Sequence, residues 1–219
     1  MDKFFIIANR QKDKELKTAR KVEAYLNSKG KSCILREETS EQKARSNHYT
    51  DVEKIPKDVE CIIVIGGDGT LLQAARDVVN RQIPLLGINM GTLGYLAEID
   101  RSSIDGALNH LMLDEYTIEK RMMLNGKVYH KEELIAEDVA LNDIVIGRDG
   151  PLHVTRFHNY VNGEFLNSYT ADGIIIATAT GSTGYSLSAG GPIVSPETNI
   201  LIMTPVAPHT LNTRSVIFP

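Results

Sequence analysis

Cysteine is scarce in this chain, with only Cys33 and Cys61 among its 219 residues. Both lie in apolar runs, which favours buried reduced thiols over a disulfide framework and predicts a cytoplasmic protein. Long hydrophobic runs are missing too: none reaches the roughly 18 residues that a membrane helix needs. The apolar stretch near the N-terminus is too short for a signal peptide. We therefore expect no membrane partner.

An excess of basic residues is also absent. The formal net charge is -4, which argues against a nucleic-acid partner. The densest basic region, residues 12–21, alternates with acids and is typical of a solvated helix face. The chain is 42% hydrophobic and 24% charged, as soluble globular proteins usually are. It carries no internal repeat or low-complexity segment, and its length allows one large domain or two small ones.

The first hundred residues alternate between two kinds of pattern. Apolar runs predict strands at residues 3–8, 32–36, 60–65 and 83–89, and helical spacing predicts helices at residues 13–28, 71–79 and 103–113. The polar segment 37–56 between them is typical of a surface loop. Strands that alternate with helices indicate a parallel sheet covered on both faces.

Beyond residue 100 the pattern changes, and after the last predicted helix β-favouring runs dominate. They lie at residues 117–124, 127–134, 137–147 and 152–178. Asn162 and Gly163 stand between alternating residues and predict a hairpin, because both turn positions need a positive φ. The fold class that we predict is α/β for an N-terminal domain with a parallel sheet, followed by a β-rich C-terminal domain, so α+β overall. The boundary is expected near residue 100, giving domains 1–100 and 101–219.

A glycine loop carries the first chemical signal. Gly66, Gly67, Asp68, Gly69 and Thr70 follow an apolar strand, and a predicted helix comes next. Free backbone N–H groups at a helix start favour phosphate binding, although a tight turn with no ligand explains paired glycines about equally well. The loop lacks the Gly-Lys-Ser/Thr of a P-loop and the Gly-x-Gly-x-x-Gly spacing of the usual dinucleotide fingerprint.

The carboxylate in the middle of this loop is unexpected at a phosphate site, because it would repel the phosphate. It has two physical uses there. It can accept the proton of a hydroxyl that attacks phosphorus, or it can help to place Mg²⁺ between phosphate oxygens. Either use indicates phosphoryl transfer and not passive phosphate holding.

A second signal lies in residues 173–194, where an apolar strand runs into a dense set of hydroxyl and glycine residues. Such a segment offers many donors with little bulk, as a groove for a ribose or phosphate requires. A purely structural Ser/Thr-rich loop is the alternative. The strand end, the hydroxyls and the Gly190-Gly191 pair together favour a ligand site.

Asn142 and Asp143 give a third signal, because they interrupt an alternating strand. Adjacent side chains on a strand face opposite ways, so the pair shares a ligand only at a bulge or a strand end. An exposed turn is the alternative. The six histidines are scattered without metal-site spacing, so we predict no metal bound by the protein's own side chains, and His209 alone stands in a segment of interest.

Taken in order, these segments closely resemble the NAD kinase family, in its bacterial type. The resemblance runs from about residue 60 to the C-terminus and includes "NMGTLGYLAEI" at 89–99, "TGSTGYSLSAGGPI" at 180–193 and "APHTLNTRSV" at 207–216. It implies transfer of a phosphoryl group from ATP, or another phosphate donor, to the 2′-hydroxyl of the adenosine ribose of NAD. The glycine loop alone is shared with lipid kinases, whereas the Ser/Thr/Gly segment is more specific.

The resemblance also implies roles for single residues. Asp68 is the implied catalytic base. The implied phosphate loop comprises Gly66, Gly67, Gly69 and Thr70. The residues implied to bind NAD are Asp68, Gly69, Asn142, Asp143, His153, Thr170, Asp172, Thr183, Gly184, Tyr185, Ser186, Leu187, Ser188 and Ala207. Asp143 and Gly184 depart from the family's usual Glu and Ala.

The same resemblance implies partners and assembly. A divalent metal ion, Mg or Mn, is expected with ATP, and the chain is expected to form a homo-oligomer, a dimer or tetramer. Family members usually continue past a segment like "RSVIFP", so we expect the β-rich domain to be truncated at Pro219. The 219-residue chain alone is then expected to be poorly soluble or inactive.

Two other functions stay open on the sequence. A lipid kinase would share the glycine loop, but it needs an apolar entry for its acceptor, and it leaves residues 183–188 unexplained. A non-catalytic NAD or NADP sensor would keep Asn142, Asp172 and Tyr185 without needing Asp68. Formation of NADP from ATP, Mg²⁺ and NAD separates the three.

Overall fold

The computed structural model describes residues 1–35, 50–91, 94–150, 154–210 and 213–219. By their contacts these residues form two compact units, Met1–Ile118 and Glu119–Pro219. The predicted fold class, an α/β part followed by a β-rich part, is confirmed. The first unit continues past the predicted boundary at residue 100, because the third helix packs against the first helix and belongs to this unit.

The first unit contains a four-stranded sheet in which every pairing is parallel. Its elements are β1 (Lys3–Ala8), α1 (Lys17–Ser28), β2 (Ser32–Leu35), β3 (Cys61–Gly66), α2 (Asp68–Asp77), β4 (Leu85–Asn89) and α3 (Ile104–Met112). The strand order is β2-β1-β3-β4. Short 3-10 turns lie at Lys14–Leu16, Val52–Lys54 and Val79–Arg81.

The central strands β1 and β3 are buried on both faces, which is why they are apolar without alternation. Phe4 and Ile63 point to a core that includes α1 and α3. Phe5 and Ile62 point to the opposite core, against α2. Because β1, β3 and β4 are parallel, the loops that follow them emerge at the same edge of the sheet.

Helix α1 begins later than the pattern predicts. Glu15 and Leu16 have left-handed φ values, so residues 14–16 form a separate turn. Asp13 explains the start, because its carboxylate accepts the backbone N–H groups of Thr18 and Ala19 at 3.0 and 2.9 Å. A carboxylate at a helix start satisfies N–H groups that have no partner within the helix.

The second unit is built from antiparallel pairs. Its elements are β5 (Leu124–His130), β6 (Glu133–Ala140), β7 (Asp143–Gly147), β8 (Thr155–Val161), β9 (Glu164–Ala171), β10 (Gly173–Thr178), α4 (Tyr185–Ser188), β11 (Leu201–Val206) and β12 (Val216–Phe218). Strands β12-β11-β10-β7 form one sheet, and β5-β6 and β8-β9 form two-stranded sheets.

The predicted hairpin at Asn162 and Gly163 is confirmed, with φ values of 52° and 85° between β8 and β9. The β-favouring run at 117–124 forms no strand before Leu124, so that part of the prediction is wrong. A strand needs a neighbouring strand to accept and donate its backbone hydrogen bonds, and the described residues provide none for residues 117–123. None of the helices in the described ranges has the length and apolar character to span a bilayer.

Candidate active site

Polar and glycine residues follow three neighbouring strands of the parallel sheet. Asn9 follows β1, Gly67 follows β3, and Asn89 ends β4. The carboxyl ends of parallel strands lie at the same sheet edge, so these residues are neighbours in space. Strand β2 lies on one side of β1, and the next strand along the chain, β3, lies on the other side. The strand order therefore reverses between β1 and β3, and α/β proteins bind ligands at such a switch point.

The glycine loop turns directly from strand to helix. Gly67 caps α2, whose first residue is Asp68, so the helix begins three residues earlier than predicted. The hydroxyl of Thr70 accepts a hydrogen bond from Nδ2 of Asn9 at 3.1 Å. Gly66 allows this contact, because a Cβ there would stand 2.3 Å from the Thr70 oxygen. Thr70 is buried, and this hydrogen bond connects the loops after β1 and β3.

The carboxylate of Asp68 is half-buried and held by backbone N–H groups. Oδ2 accepts from Tyr95 at 2.8 Å, and Oδ1 accepts from Leu96 and Ala97 at 3.2 and 3.1 Å. The neighbouring Gly69 is exposed, and a Cβ there would meet nothing within 4 Å. Residues 95–97 belong to the "NMGTLGYLAEI" segment, whose contact with Asp68 no local pattern predicts.

Lys12 is a residue that the sequence prediction missed. Its Nζ lies so close to Gly67 that a Cβ on the glycine would stand 2.5 Å away. The prediction assigned residues 12–21 to a solvated helix face, whereas Lys12 stands in the loop between β1 and the first turn. Lys12 could have been identified from its position three residues after Asn9, in the loop that follows β1. Strand β1 lies next to β3, and the glycine loop follows β3.

In the second unit, the side chains of Asn142 and Asp143 both lie near Gly184. Adjacent side chains within a strand would face opposite ways. Asn142 precedes β7, so the pair stands at a strand end. A Cβ on Gly184 would lie 3.3 Å from Nδ2 of Asn142 and 3.5 Å from Oδ2 of Asp143. The structure therefore brings Asn142, Asp143, Gly184 and the adjoining Tyr185 together at the end of β10.

Gly181 lets the segment after β10 approach this pair. A Cβ on Gly181 would stand 2.1 Å from the backbone oxygen of Asn142, so only glycine fits. The segment after β10 forms a 3-10 turn, Thr180–Thr183, followed by the short helix α4. Burial raises the pKa of the Asp143 carboxyl, and a backbone hydrogen bond from Tyr185 opposes that shift in part.

Most hydroxyls of this segment form hydrogen bonds within the protein. Ser182 bonds with Val194, and Ser186 bonds with Thr204. Ser186 is fully buried, so its side chain is not exposed to solvent in this unit. By contrast, Oγ1 of Thr180 and Oδ1 of Asn142 are buried and have no hydrogen-bond partner among the described residues. Buried polar atoms normally have partners, so these two point to a ligand with donors.

Another group of predicted residues surrounds Asp172, which lies between β9 and β10. Oδ2 of Asp172 is 3.5 Å from Nη2 of Arg148, and Oδ1 is 3.6 Å from Nε2 of His209. The N–H of His209 donates to the backbone oxygen of Thr170 at 2.8 Å. Ala207 is exposed here, with a left-handed φ of 44°. The sequence analysis did not predict Arg148 as a site residue. Its position directly after β7 is the feature that could have identified it.

The two groups in the second unit are not brought together. Asp172 precedes β10, and Asn142 bonds to Thr178 at the other end of that strand. Six strand residues span roughly 17 Å at about 3.4 Å per residue. Asp172 and Tyr185 therefore lie at opposite ends of β10.

The remaining predicted residues have ordinary positions. Thr183 is half-buried, and Leu187 and Ser188 are exposed on α4. His153 lies outside the described residues. Among the residues that the structure describes, no three His, Cys, Asp or Glu side chains gather as a metal site.

Comparison with known families and proteins agrees with this geometry. The ATP-NAD kinase N-terminal domain matches residues 4–116, and the ATP-NAD kinase C-terminal domain matches residues 141–219. The NAD kinase of Lachnospira eligens is 50% identical over 218 residues, which are 100% of this chain and 74% of the relative. The NAD kinase of Lachnoclostridium phytofermentans is 47% identical, over 99% of this chain and 75% of the relative.

Solved structures give the same result for the fold. Yeast NADH kinase, crystallised with NADH, has a TM-score of 0.84 at 28% identity, covering 100% of this chain and 70% of that one. An NAD kinase from Archaeoglobus fulgidus, in complex with ATP, has a TM-score of 0.74 at 24% identity, covering 98% and 76%, and supports the fold alone. With family domains matched in both units and relatives this similar along the whole chain, the protein belongs to the NAD kinase family.

Proposed function

We propose that this protein phosphorylates NAD: it transfers the terminal phosphoryl group of ATP to the 2′-hydroxyl of the adenosine ribose and releases NADP and ADP. The observation that carries the proposal is the carboxylate of Asp68, held by amides at the start of α2 inside a glycine loop. Membership of the NAD kinase family supports the choice of acceptor and donor.

In the proposed reaction Asp68 is the proton acceptor. The ribose oxygen forms a bond to the terminal phosphorus while its proton passes to the carboxylate. The bond from that phosphorus to the bridging oxygen breaks, and ADP leaves with the electron pair. Such a reaction depends on positioning and on neutralised charge more than on covalent chemistry.

The phosphate donor is proposed to lie against the glycine loop. Gly67 carries no side chain that would crowd the loop, and the ammonium of Lys12 stands beside it. A divalent ion, Mg²⁺ or Mn²⁺, would arrive as part of the substrate, bound by the donor's own phosphates, as Mg²⁺ commonly does with nucleotides. Lys12 and that ion would then offset the charge that Asp68 places near the phosphates.

The dinucleotide is proposed to be held by the residues of the second unit. Oδ1 of Asn142 and Oγ1 of Thr180 are buried, have no partner in the described part of the chain, and suit the donors of an adenine or ribose. Tyr185 is exposed beside them and offers a ring face for stacking. Thr170, Asp172 and Ala207 are proposed contacts at the other end of β10.

The proposal extends to location and assembly. Cys33 and Cys61 are free and buried, which suits the cytoplasm. We further propose a homo-oligomer formed through the β-rich unit, because large apolar side chains on the β5-β6 pair are exposed. They include Val128, Tyr129, Leu134 and Ile135. Light scattering after size exclusion tests this, and a monomer at micromolar concentration contradicts it.

The decisive experiment is a product assay. The purified protein, in a preparation that circular dichroism shows to be folded and soluble, is incubated with ATP, Mg²⁺ and NAD, and NADP is measured by an enzymatic cycling reaction. We expect NADP only when all three are present. Transfer of phosphate from ATP to diacylglycerol instead would indicate a lipid kinase. Calorimetric binding of NAD without any NADP would indicate a sensor, and either result overturns the proposal.

A further inference from the structure

The carboxylate of Asp68 is bound along one short stretch of backbone. Three successive N–H groups, those of residues 95–97, donate to it at 2.8 to 3.2 Å. Gly94, just before them, lies against the same carboxylate. A Cβ on Gly94 would stand 2.2 Å from Oδ1 and 2.4 Å from Oδ2, so only glycine permits this approach.

The stretch is itself anchored to the sheet. Beyond it, Ile99 forms a parallel bridge with Ile88 of β4, and its N–H and carbonyl groups bond to Gly87 and Asn89. Ala97 is buried, and its Cα would lie 3.0 Å from a Cβ on Gly87. The donors to Asp68 therefore come from backbone fixed to the strand beside the glycine loop.

The pattern of bonds distinguishes the two carboxylate oxygens. An ionised carboxylate has about four acceptor positions, two on each oxygen. Oδ1 receives two N–H groups, from Leu96 and Ala97, whereas Oδ2 receives only that of Tyr95. Among the described residues, the acceptor position that receives no donor is therefore on Oδ2.

We propose that the backbone of residues 94–97 is a positioning segment for Asp68, and that Oδ2 is the oxygen that takes the proton of the acceptor hydroxyl. The inference rests on the proposed function for the identity of the reaction. As the ribose oxygen bonds to phosphorus, its proton moves to the free position on Oδ2, while Oδ1 stays fixed by its two amides. Phosphoryl transfer gains most from such fixed geometry, because the protein supplies little covalent chemistry.

Gly94→Ala tests the inference, with Gly91→Ala as the matched control. The added methyl at 94 forces the carboxylate or the backbone aside, and we expect turnover to fall about a hundredfold, the scale of a 1 Å misplacement. The KM for NAD should change little, because most of the proposed NAD contacts lie in the second unit. A Cβ on Gly91 meets nothing within 4 Å, so the control should keep its turnover. Normal turnover of a folded Gly94→Ala variant would overturn the inference.

A second measurement covers the case in which Gly94→Ala does not fold. Amide hydrogen exchange is compared between the parent protein and Asp68→Ala. We expect the amides of residues 95–97 to exchange at least about tenfold faster when their acceptor is removed, in line with loss of hydrogen bonds to a charged group. Unchanged exchange would show that these amides do not hold the carboxylate.

The two measurements separate failure of the inference from failure of the proposed function. If Asp68→Asn keeps normal turnover, Asp68 is not the base and the proposed mechanism fails. The exchange result still decides whether residues 94–97 hold the side chain. If Asp68→Asn is inactive while Gly94→Ala is fully active, the mechanism stands and the positioning segment is refuted.

Discussion

Lys12 and Gly67 come from different loops and lie side by side, with the lysine nitrogen 2.5 Å from where a Cβ of residue 67 would be. The order β2-β1-β3-β4 makes the loops after β1 and β3 neighbours. Lys12 is exposed and makes no ion pair within the part of the chain that the structure describes. Its charge is therefore available to an anion at the glycine loop.

Lys12→Met should raise the KM for ATP and leave that for NAD unchanged. A hydrogen bond to a charged group contributes about 1.5–3 kcal/mol, so we expect an increase of about tenfold or more. Lys14→Met is the control, since Lys14 is also exposed and lies two residues away. Steady-state kinetics with each substrate varied in turn measure the effect. Equal KM values for ATP in both variants would contradict the assignment.

Asp68→Asn should abolish most turnover while keeping the affinity for NAD. The asparagine oxygen can still accept from Leu96 and Ala97, but its NH₂ group faces the N–H of Tyr95 and cannot take a proton. General base catalysis commonly contributes about 10²- to 10⁴-fold, which is the loss expected in kcat. Calorimetry with NAD provides the control for binding. A variant with near-parental kcat would remove Asp68 from the mechanism.

Gly181→Ala should destabilise the second unit and weaken NAD binding. The new Cβ would lie 2.1 Å from the backbone oxygen of Asn142, which cannot rotate away as a side chain could. Overpacking of this kind costs about 1–3 kcal/mol. Gly147→Ala is the control, because its Cβ meets nothing within 4 Å and its φ is not left-handed. Urea unfolding compares the two, and equal stabilities would refute the prediction.

Asp143→Asn should stabilise the protein at neutral pH. Burial raises the pKa of this carboxyl above its usual 3.8, so the folded state binds more protons than the unfolded state just above that value. The free energy of unfolding therefore falls as the pH rises from 3.8 through the raised pKa, and the penalty is complete above it. The variant lacks this penalty.

Thermal unfolding of Asp143→Asn and the parent between pH 4 and 8 measures the effect. The gain in Tm of the variant should be largest at the upper end and shrink as the pH falls. A gain that grows toward acid pH would mean that the folded protein binds the ionised carboxylate well, contrary to its burial.

Cys33 and Cys61 should be unreactive in the folded protein. Burial raises the pKa of each thiol to about 12, so almost no thiolate forms at pH 8. Because the thiolate is the nucleophile, a disulfide reagent should label neither residue until the chain unfolds. Two thiols should then react in denaturant. Rapid labelling of either residue in the native protein would contradict this.

Much of the first unit is predictable from local pattern. The strand predicted at residues 3–8 coincides with β1, and the run at 60–65 differs from β3 by one residue at each end. The start of α2 was placed late, because a helix begins where its first N–H and C=O groups find partners, and Gly67 already accepts from Thr70 and Leu71. Hydrophobic spacing carries no information about which backbone N–H and C=O groups form these hydrogen bonds.

The site is only partly predictable for a related reason. The position of Asp68 in a loop is predictable, because an apolar strand, two glycines and a helix pattern lie within a few residues of it. Its hydrogen-bond donors lie 27 to 29 residues further along the chain, and Lys12 lies far before it. The ends of β10 likewise separate Asp172 from Tyr185 in a way that sequence order does not reveal.

The sequence by itself determined the alternation of strands and helices, the hairpin at Asn162 and Gly163, and the acidic glycine loop. Each depends on backbone preferences and hydrophobic spacing among near neighbours. Tertiary structure alone decided that amides of residues 95–97 bind Asp68 and that Asn142 and Asp143 share Gly184. Those contacts depend on strand order and on close approach of distant backbone segments, which only the packed chain defines.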